Sequence, residues 1–348
     1  MRFGDAIEIG ILASGWRFER DARATLHKRH ELWNDSPRRC ACYYRPITMA
    51  AILMDGRAVT AHLMPELRRH LAELRDHHHI VPSLTAILVG RDSASRQYVK
   101  NKRRLAQELG CTSNIVEIAE ADADTESMLA LIDKLNRDPA TTGILIQMPL
   151  PERLDRYRLF DAIASDKDVD AVGADAVIGF YRGQWGRFVP CTPRGVLTLL
   201  DFYKVPVDGA RAAIIGRSDI AGKPTALILG GRLRNATVTW CHRHTRDVDG
   251  ICRNSDIIVS CVGAEVGRPF FITAEMVKPG ACVIDVGVRR IGPGKFAGDV
   301  DFEGVRQVAG WLTPNPGGTG PTTVLGLMQN LIDAARYQLG LERASYST

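Results

Sequence analysis

The feature that most constrains this chain is an alternation that starts near residue 56. Helix-period segments take turns with short apolar runs: "SLTAILVG" (83–90), "NIVEIA" (114–119) and "TGILIQMPLP" (142–151), with "GRAVTAHLMPELRRHLAELRD", a basic stretch and "DTESMLALIDKLNRD" around them. Runs this short and this apolar are strands buried on both faces, and strand–helix–strand order demands parallel pairing with crossover helices. A Gly- and Pro-rich stretch, Ser165 to Gly195, interrupts the series. A second one follows: "VLTLLDFYK" as helix, then the strands "ARAAIIG", "ATVTWC", "DIIVSCVG", "ACVIDVG" and "QVAGWLTP". The last helix, "TVLGLMQNLIDAARYQLG", can return to either half. The fold class is therefore α/β, with two α/β domains, each on a parallel sheet.

The second series carries a phosphate-loop signal. In "AAIIGRSDIAGKPTALIL" a buried strand ends at Gly216, Ser218 lies in the turn, Gly222 opens the next helix and Pro224 suits its first turn. The glycines are six apart, so this is not GxGxxG, but the need is alike: close approach of a phosphate to backbone at a helix N-terminus. An ordinary tight turn has the same residues and stays open as a reading. About 20 residues on, where an NAD enzyme carries an acid for the ribose hydroxyls, stand His242, Arg243 and His244, and Arg217 sits in the glycine turn. Cations in place of the acid suit a 2′-phosphate, which points to NADP.

In the first series, "SRQYVKNKRR" (95–104) puts Lys100, Lys102, Arg103 and Arg104 within five residues, with Tyr98 one helical turn before Lys102. The helix is expected to begin at Ser93 or Ser95 and to end at Gly110. A solvated basic face is the plain reading of such a stretch. The sharper one sets an aromatic plate beside an amine.

Composition removes several classes. No apolar run approaches the ~18 residues of a membrane span. A net charge of +5 over 348 residues is too small to suggest nucleic acid as a partner. Eight cysteines without a CxxC pair, mostly in apolar segments, are expected to be reduced core thiols of a cytoplasmic protein. "HHHI" (77–80) is expected to be a loop before a strand, so no metal is expected. Residues 1–48 hold nine Lys/Arg, six Asp/Glu and no periodicity. They are expected to lie outside the fold, with Met49 the natural start, and Cys40-x-Cys42 within them carries no functional reading.

Taken together, "ILVGRDSASRQYVKNK", "GILIQMPLP", "DKDVDA", "PCTPRGV", "IIGRSDIAGKP", "VIDVGV", "GDVDF" and "TPNPGGTGPTT" closely resemble, in order and across about residues 50 to 340, the bifunctional methylenetetrahydrofolate dehydrogenase/methenyltetrahydrofolate cyclohydrolase family. The resemblance implies NADP-dependent oxidation of 5,10-methylenetetrahydrofolate, hydrolysis of the product to 10-formyltetrahydrofolate, and a homodimer with no nucleic-acid or membrane partner. It assigns residues 49–190 with 324–348 to the catalytic, folate-binding domain and 191–323 to a Rossmann-like NADP domain, and implies a cleft between them. It makes Lys102 the catalytic lysine, Tyr98 the tyrosine against the folate rings, Gln147 the lysine's partner and Asp170 the aspartate that holds the pterin. Pro316, Gly317 and Gly318 fall on the substrate side, and Gly216, Arg217, Ser218, Gly222 and Arg243 on the cofactor loops.

The sequence departs from the family pattern beside these residues. Ala171-Val172-Gly173-Ala174 replaces Gly-Phe/Leu-His-Pro, Thr322 replaces the methionine of Gly-Pro-Met-Thr, Thr319 a valine, and Asn101 a serine. These bear on the balance of the two activities, and leave open a dehydrogenase with a weakened or lost hydrolytic step or a folate- or nucleotide-binding paralogue without turnover. A shikimate-type dehydrogenase is disfavoured because the matching strings lie in both halves.

Overall fold

The computed structural model describes residues 50–183, 187–263, 270–292 and 295–346. Residues 1–48 and the Cys40/Cys42 pair lie outside them. The strands are β1 (Ile52–Leu53), β2 (Ser83–Val89), β3 (Thr112–Ile118), β4 (Gly143–Ile146), β5 (Arg211–Ile215), β6 (Thr237–Cys241), β7 (Ile257–Ser260), β8 (Cys282–Asp285), β9 (Arg289–Gly292), β10 (Lys295–Ala297) and β11 (Trp311–Leu312). The helices are α1 (Gly56–His78), α2 (Ser93–Glu108), α3 (Thr125–Arg137), α4 (Arg156–Asp161), α5 (Ala174–Tyr181), α6 (Cys191–Phe202), α7 (Gly222–Gly230), α8 (Val248–Arg253), α9 (Phe302–Arg306) and α10 (Thr319–Gln338).

Two parallel sheets carry the fold, in the orders β3-β2-β4 and β1-β11-β8-β7-β5-β6. Every residue of β2, β4, β7 and β8 is buried, as their continuous apolar sequences require. The strand Ile52–Leu53 was not anticipated. It pairs with β11 at the edge of the larger sheet, so a residue pair assigned by sequence to the first domain completes the sheet of the second. Two residues are too few for any periodicity to register. The β9–β10 hairpin went unread for the same reason.

α10 is apolar on nearly all sides, with Leu325, Leu327, Leu331, Ile332 and Ala334 fully buried, and it packs against α6, α1 and α2. Its crossing with α6 is close. A Cβ on Gly195 would stand 2.8 Å from the Thr323 nitrogen and 2.9 Å from the Thr322 carbonyl carbon. This helix thus packs on helices of both series, and it begins at Thr319 rather than Thr323.

Local chemistry moves other boundaries. α2 starts at Ser93 under the cap of Asp92, whose carboxylate accepts the Ser95 N–H at 2.7 Å; neither serine is the cap. α6 starts at Cys191, inside the stretch expected to be loop, because Pro193 falls in a first turn whose N–H groups need no helical partner. His77 and His78 belong to the last turn of α1 and His79 is its C-cap at φ 57°, where they were expected in a loop.

Candidate active site

The site begins with the motif "DKDVD", whose alternation sends each residue to a different task. Lys167 turns inward, and its Nζ donates to the Leu135 and Asp138 carbonyls at 3.1 and 2.7 Å, closing the C-terminus of α3. Asp168 is buried and accepts the Gly173 N–H at 2.8 Å, holding the next turn. The Val169 carbonyl accepts Asn330 Nδ2 at 2.8 Å and the Cys191 thiol at 3.3 Å, which ties the segment to α10 and α6. Asp170 is left on the cleft wall.

Across from it, α2 presents Ser95, Tyr98 and Lys102 on one face, one turn apart. Ser95 is buried and its Oγ donates to the Met148 carbonyl at 3.2 Å, pinning α2 to the end of β4. Lys102 is only 8% exposed, and its Nζ donates to Gln147 Oε1 at 3.0 Å. The Gln147 amide is fixed from its other end, since Nε2 donates to the Met148 carbonyl at 2.7 Å. Burial raises the Tyr98 phenol above its usual range, so it stays neutral. The Cys191 thiol beneath is pushed up by burial and then by the charge of Asp170, which keeps it protonated. Lys100, Arg103 and Arg104 lie on another face of α2 and line a separate small groove with Arg96 and Glu117. The basic stretch thus splits: Lys102 faces the cleft and its cationic neighbours do not.

The cofactor wall is built on β5. Gly216 has φ 117°, and a Cβ there would stand 2.6 Å from the Cys261 carbonyl oxygen; one on Gly222 would stand 2.3 Å from the Gly216 oxygen. Only glycine fits at either position. The Ser218 hydroxyl accepts the Gly222 N–H at 3.3 Å, and Arg217 and Ser218 line the cleft. Arg243 does not. Its Nε donates to His244 Nε2 at 3.1 Å on the exposed side, while His242 is the member of that trio on the wall. The 2′-phosphate argument therefore rests on Arg217. Pro316, Gly317 and Gly318 are likewise off the wall. They form a turn against the start of α1, where the Gly56 N–H donates to the Gly317 carbonyl at 2.9 Å, and it is Thr319, Gly320 and Thr323 that line the cleft.

Both walls bound one cleft of about 1050 Å³, enough for a dinucleotide with a second ligand beside it. Sequence reasoning missed the bridge between its lips: Asp219 Oδ2 accepts Tyr157 Oη at 3.0 Å and Arg156 Nη2 at 3.2 Å. Asp219 stands inside the glycine loop, so its position was available, but its partners sit on a six-residue helix that no periodicity marked. Among the described residues no group of three or more His, Cys, Asp or Glu could hold a metal ion.

The description "tetrahydrofolate dehydrogenase/cyclohydrolase, catalytic domain" matches residues 54–170, and its NAD(P)-binding companion matches residues 190–339. The chain belongs to this family. It is 43% identical over 288 residues to the bifunctional protein FolD of Moorella thermoacetica, covering 83% of this chain and all of the relative. The solved FolD methylenetetrahydrofolate dehydrogenase/cyclohydrolase of Campylobacter jejuni superposes with a TM-score of 0.77 at 38% identity, over 83% of this chain and all of that one. The Trypanosoma brucei enzyme, solved with NADP cofactor and an inhibitor, gives 0.79 at 33% identity, over 84% and 99%.

The departures from the family pattern now have places. Asn101 Oδ1 accepts Gln97 Nε2 at 3.1 Å along the surface of α2, away from Lys102. Thr319 Oγ1 donates to the Asp285 carbonyl at 3.0 Å, tying the start of α10 to the end of β8, and Thr322 Oγ1 donates to the Thr319 carbonyl at 3.1 Å within the first turn of α10. Ala171 takes a left-handed backbone, φ 55°, where the family has glycine.

Proposed function

We propose that this protein oxidises 5,10-methylenetetrahydrofolate to the methenyl form with NADP⁺ and hydrolyses that product to 10-formyltetrahydrofolate in the same cleft. The observation that carries the reading is the buried Lys102–Gln147 contact sharing one cavity with the Gly216–Ser218 turn. Asp170 accepts hydrogen bonds from the pterin amino and ring N–H groups, and Tyr98 packs its neutral ring on the folate plane. Gly216, Ser218 and the start of α7 cradle the cofactor phosphates, and Arg217 meets the 2′-phosphate. When bound, NADP⁺ takes the hydride that leaves the methylene carbon.

That departure is driven by the lone pair of the neighbouring folate nitrogen, so the first step asks the protein for alignment alone. The second asks for proton transfer. Water adds to the methenyl carbon and loses a proton. The carbon–N5 bond then breaks, N5 recovers a proton, and the formyl group stays on N10; one proton is released overall. Lys102 is the proton-transfer group within reach, and Gln147 orients it without adding charge. Residues 49–190 with 324–348 supply the folate wall and residues 191–323 the cofactor wall, joined by the short strand Ile52–Leu53. The family resemblance supports a cytoplasmic location and a homodimer, the latter tested by light scattering.

Purified protein given methylenetetrahydrofolate and NADP⁺ should show the methenyl chromophore rise and then decay. A rise without decay would leave a dehydrogenase alone; no rise with either NADP⁺ or NAD⁺ would overturn the enzymatic reading.

A further inference from the structure

Two segments of the family pattern, "VIDVGV" (283–288) and "GDVDF" (298–302), have no part in the chemistry above. Their aspartates are buried side by side. Asp285 is 2% exposed and Asp299 1%. Asp299 Oδ2 accepts the Ser260 hydroxyl and the Val262 N–H, each at 2.8 Å, and its Oδ1 accepts the Gly263 N–H at 3.0 Å. Asp285 Oδ1 accepts the N–H groups of Gly287 and Asp299, each at 3.0 Å, and its Oδ2 accepts that of Val300 at 3.2 Å.

The two carboxylates thus grip two turns. One follows β7 and contributes Cys261, Val262 and Gly263 to the cleft; the other follows β8 and contributes Val286, Gly287 and Val288. The grip is tight enough to dictate sequence. A Cβ on Gly287 would stand 2.1 Å from Asp299 Cγ, and one on Gly298 would stand 1.7 Å from Asp285 Oδ2. Burial pushes the Asp285 carboxyl up to about 6, a cost set against the buried N–H groups of Gly287, Asp299 and Val300 that it keeps paired. A fold that carries this cost gains backbone geometry from it.

In an open parallel sheet a dinucleotide lies across the carboxyl ends of the strands, with its pyrophosphate at the glycine turn. That turn follows β5, and β7 and β8 are the next two strands on the side away from β6, their turns lining the same cleft as Lys102. We propose that Asp299 and Asp285 are positioning residues for hydride transfer: together they set the backbone of the two turns that face the redox-active end of the cofactor. The inference rests on the cofactor placement given above. It goes beyond that placement in predicting that the two activities come apart when the brace is loosened.

The variant is Asp299→Asn, close in shape but bringing an N–H₂ against backbone donors. Four quantities are read on one preparation: NADP⁺ dissociation constant by calorimetry, hydride transfer, hydrolysis of supplied methenyltetrahydrofolate without cofactor, and amide hydrogen exchange. Loss of hydrogen bonds to a charged acceptor should weaken NADP⁺ binding and hydride transfer by about tenfold or more. Exchange at Val262 and Gly263 should quicken, and hydrolysis should stay within about twofold, because Lys102, Gln147 and Asp170 stand on the other wall. Unchanged NADP⁺ affinity, or hydrolysis falling in step with hydride transfer, would overturn the proposal. Should Asp299→Asn not fold, Ser260→Ala removes a single bond to the same carboxylate and must give the same split, smaller; equal loss of both activities, or of neither, again overturns it. Wild-type protein that fails to bind NADP⁺ would instead refute the cofactor placement.

Discussion

Lys102 Nζ and Gln147 Oε1 stand 3.0 Å apart although 45 residues separate them in sequence. The contact exists because β4 lies beside β2, the strand that leads into α2, and Ser95 pins the helix to Met148 at the end of β4. Neither residue is unusual alone; the pair makes an oriented, largely buried amine on the cleft wall. Lys102→Met should therefore lower hydrolysis of methenyltetrahydrofolate by at least ~10²-fold, the usual scale for one proton-transfer group, while hydride transfer keeps most of its rate. Parallel assays on the two substrates check this, and equal loss in both would remove Lys102 from the role given to it.

Arg217 lines the cleft at the glycine turn, as does Lys223, which is paired with Asp219, whereas Arg243 is not among the lining residues. Arg217→Gln should raise the KM for NADP⁺ by about tenfold, the size of a lost charge-assisted contact, and leave the KM for NAD⁺ nearly unchanged. Arg243→Gln should do neither. Steady-state kinetics with both cofactors separates the two arginines; a larger effect at 243 would return the 2′-phosphate to the end of β6.

The large sheet shows what a sequence can disclose. Its long strands are continuous apolar runs, and burial on both faces leaves a run no alternative, so β5, β7 and β8 were legible with their glycine turn. The edge strand Ile52–Leu53 was not, because pairing with β11 is decided by the rest of the fold and not by two residues. In the site, the family pattern led to Lys102, Gln147 and Asp170, all of which line the cleft. It also led to Pro316–Gly318, which lie next to the cleft-lining Thr319 and Gly320. In that run of glycines and prolines no side chain reveals which peptide faces ligand, and the close packing of Gly318 against Gly56, whose Cβ would stand 1.8 Å from the Gly318 oxygen, is a tertiary fact. Asp219, Arg156 and Tyr157 escaped for a related reason: their meeting depends on how the two walls approach.

Ala171 tests the turn that follows Asp170. It holds φ 55° at 2% exposure. Glycine there would relieve about 1–2 kcal/mol of left-handed strain, set against ~0.8 kcal/mol for the lost buried methyl and about 0.4–1 kcal/mol of unfolded-chain entropy. These nearly cancel, so Ala171→Gly should change stability by less than about 1 kcal/mol. Ala171→Val adds a β-branch at positive φ and overpacks a closed site, and should cost more than about 2 kcal/mol. It should also raise the folate KM by displacing Asp170. Urea unfolding of both variants decides, and an Ala171→Val variant as stable as the parent would contradict the backbone assignment.

Asp168 makes stability depend on pH in a direction opposite to that of most carboxylates. Burial is the main cause that pushes it up to about 6, with the charge of Asp170 adding to the effect and the Gly173 N–H opposing it. In the unfolded chain the same group titrates near ~3.9. Between about pH 4 and 6 the folded state therefore holds a proton that the unfolded state has lost, and by linkage the contribution of Asp168 to stability falls as pH rises through that window. The contribution is fully present below about pH 4 and gone above about pH 6, a difference on the order of 3 kcal/mol for about two pK units. Asp168→Asn still accepts the Gly173 N–H but cannot ionise. Relative to the parent, the variant should gain stability from about pH 4 to pH 6 and then hold level. Urea unfolding at pH 4, 5, 6 and 7 measures that difference directly; a gap that stays constant or narrows with pH would show that Asp168 titrates in the folded protein as it does in the unfolded chain.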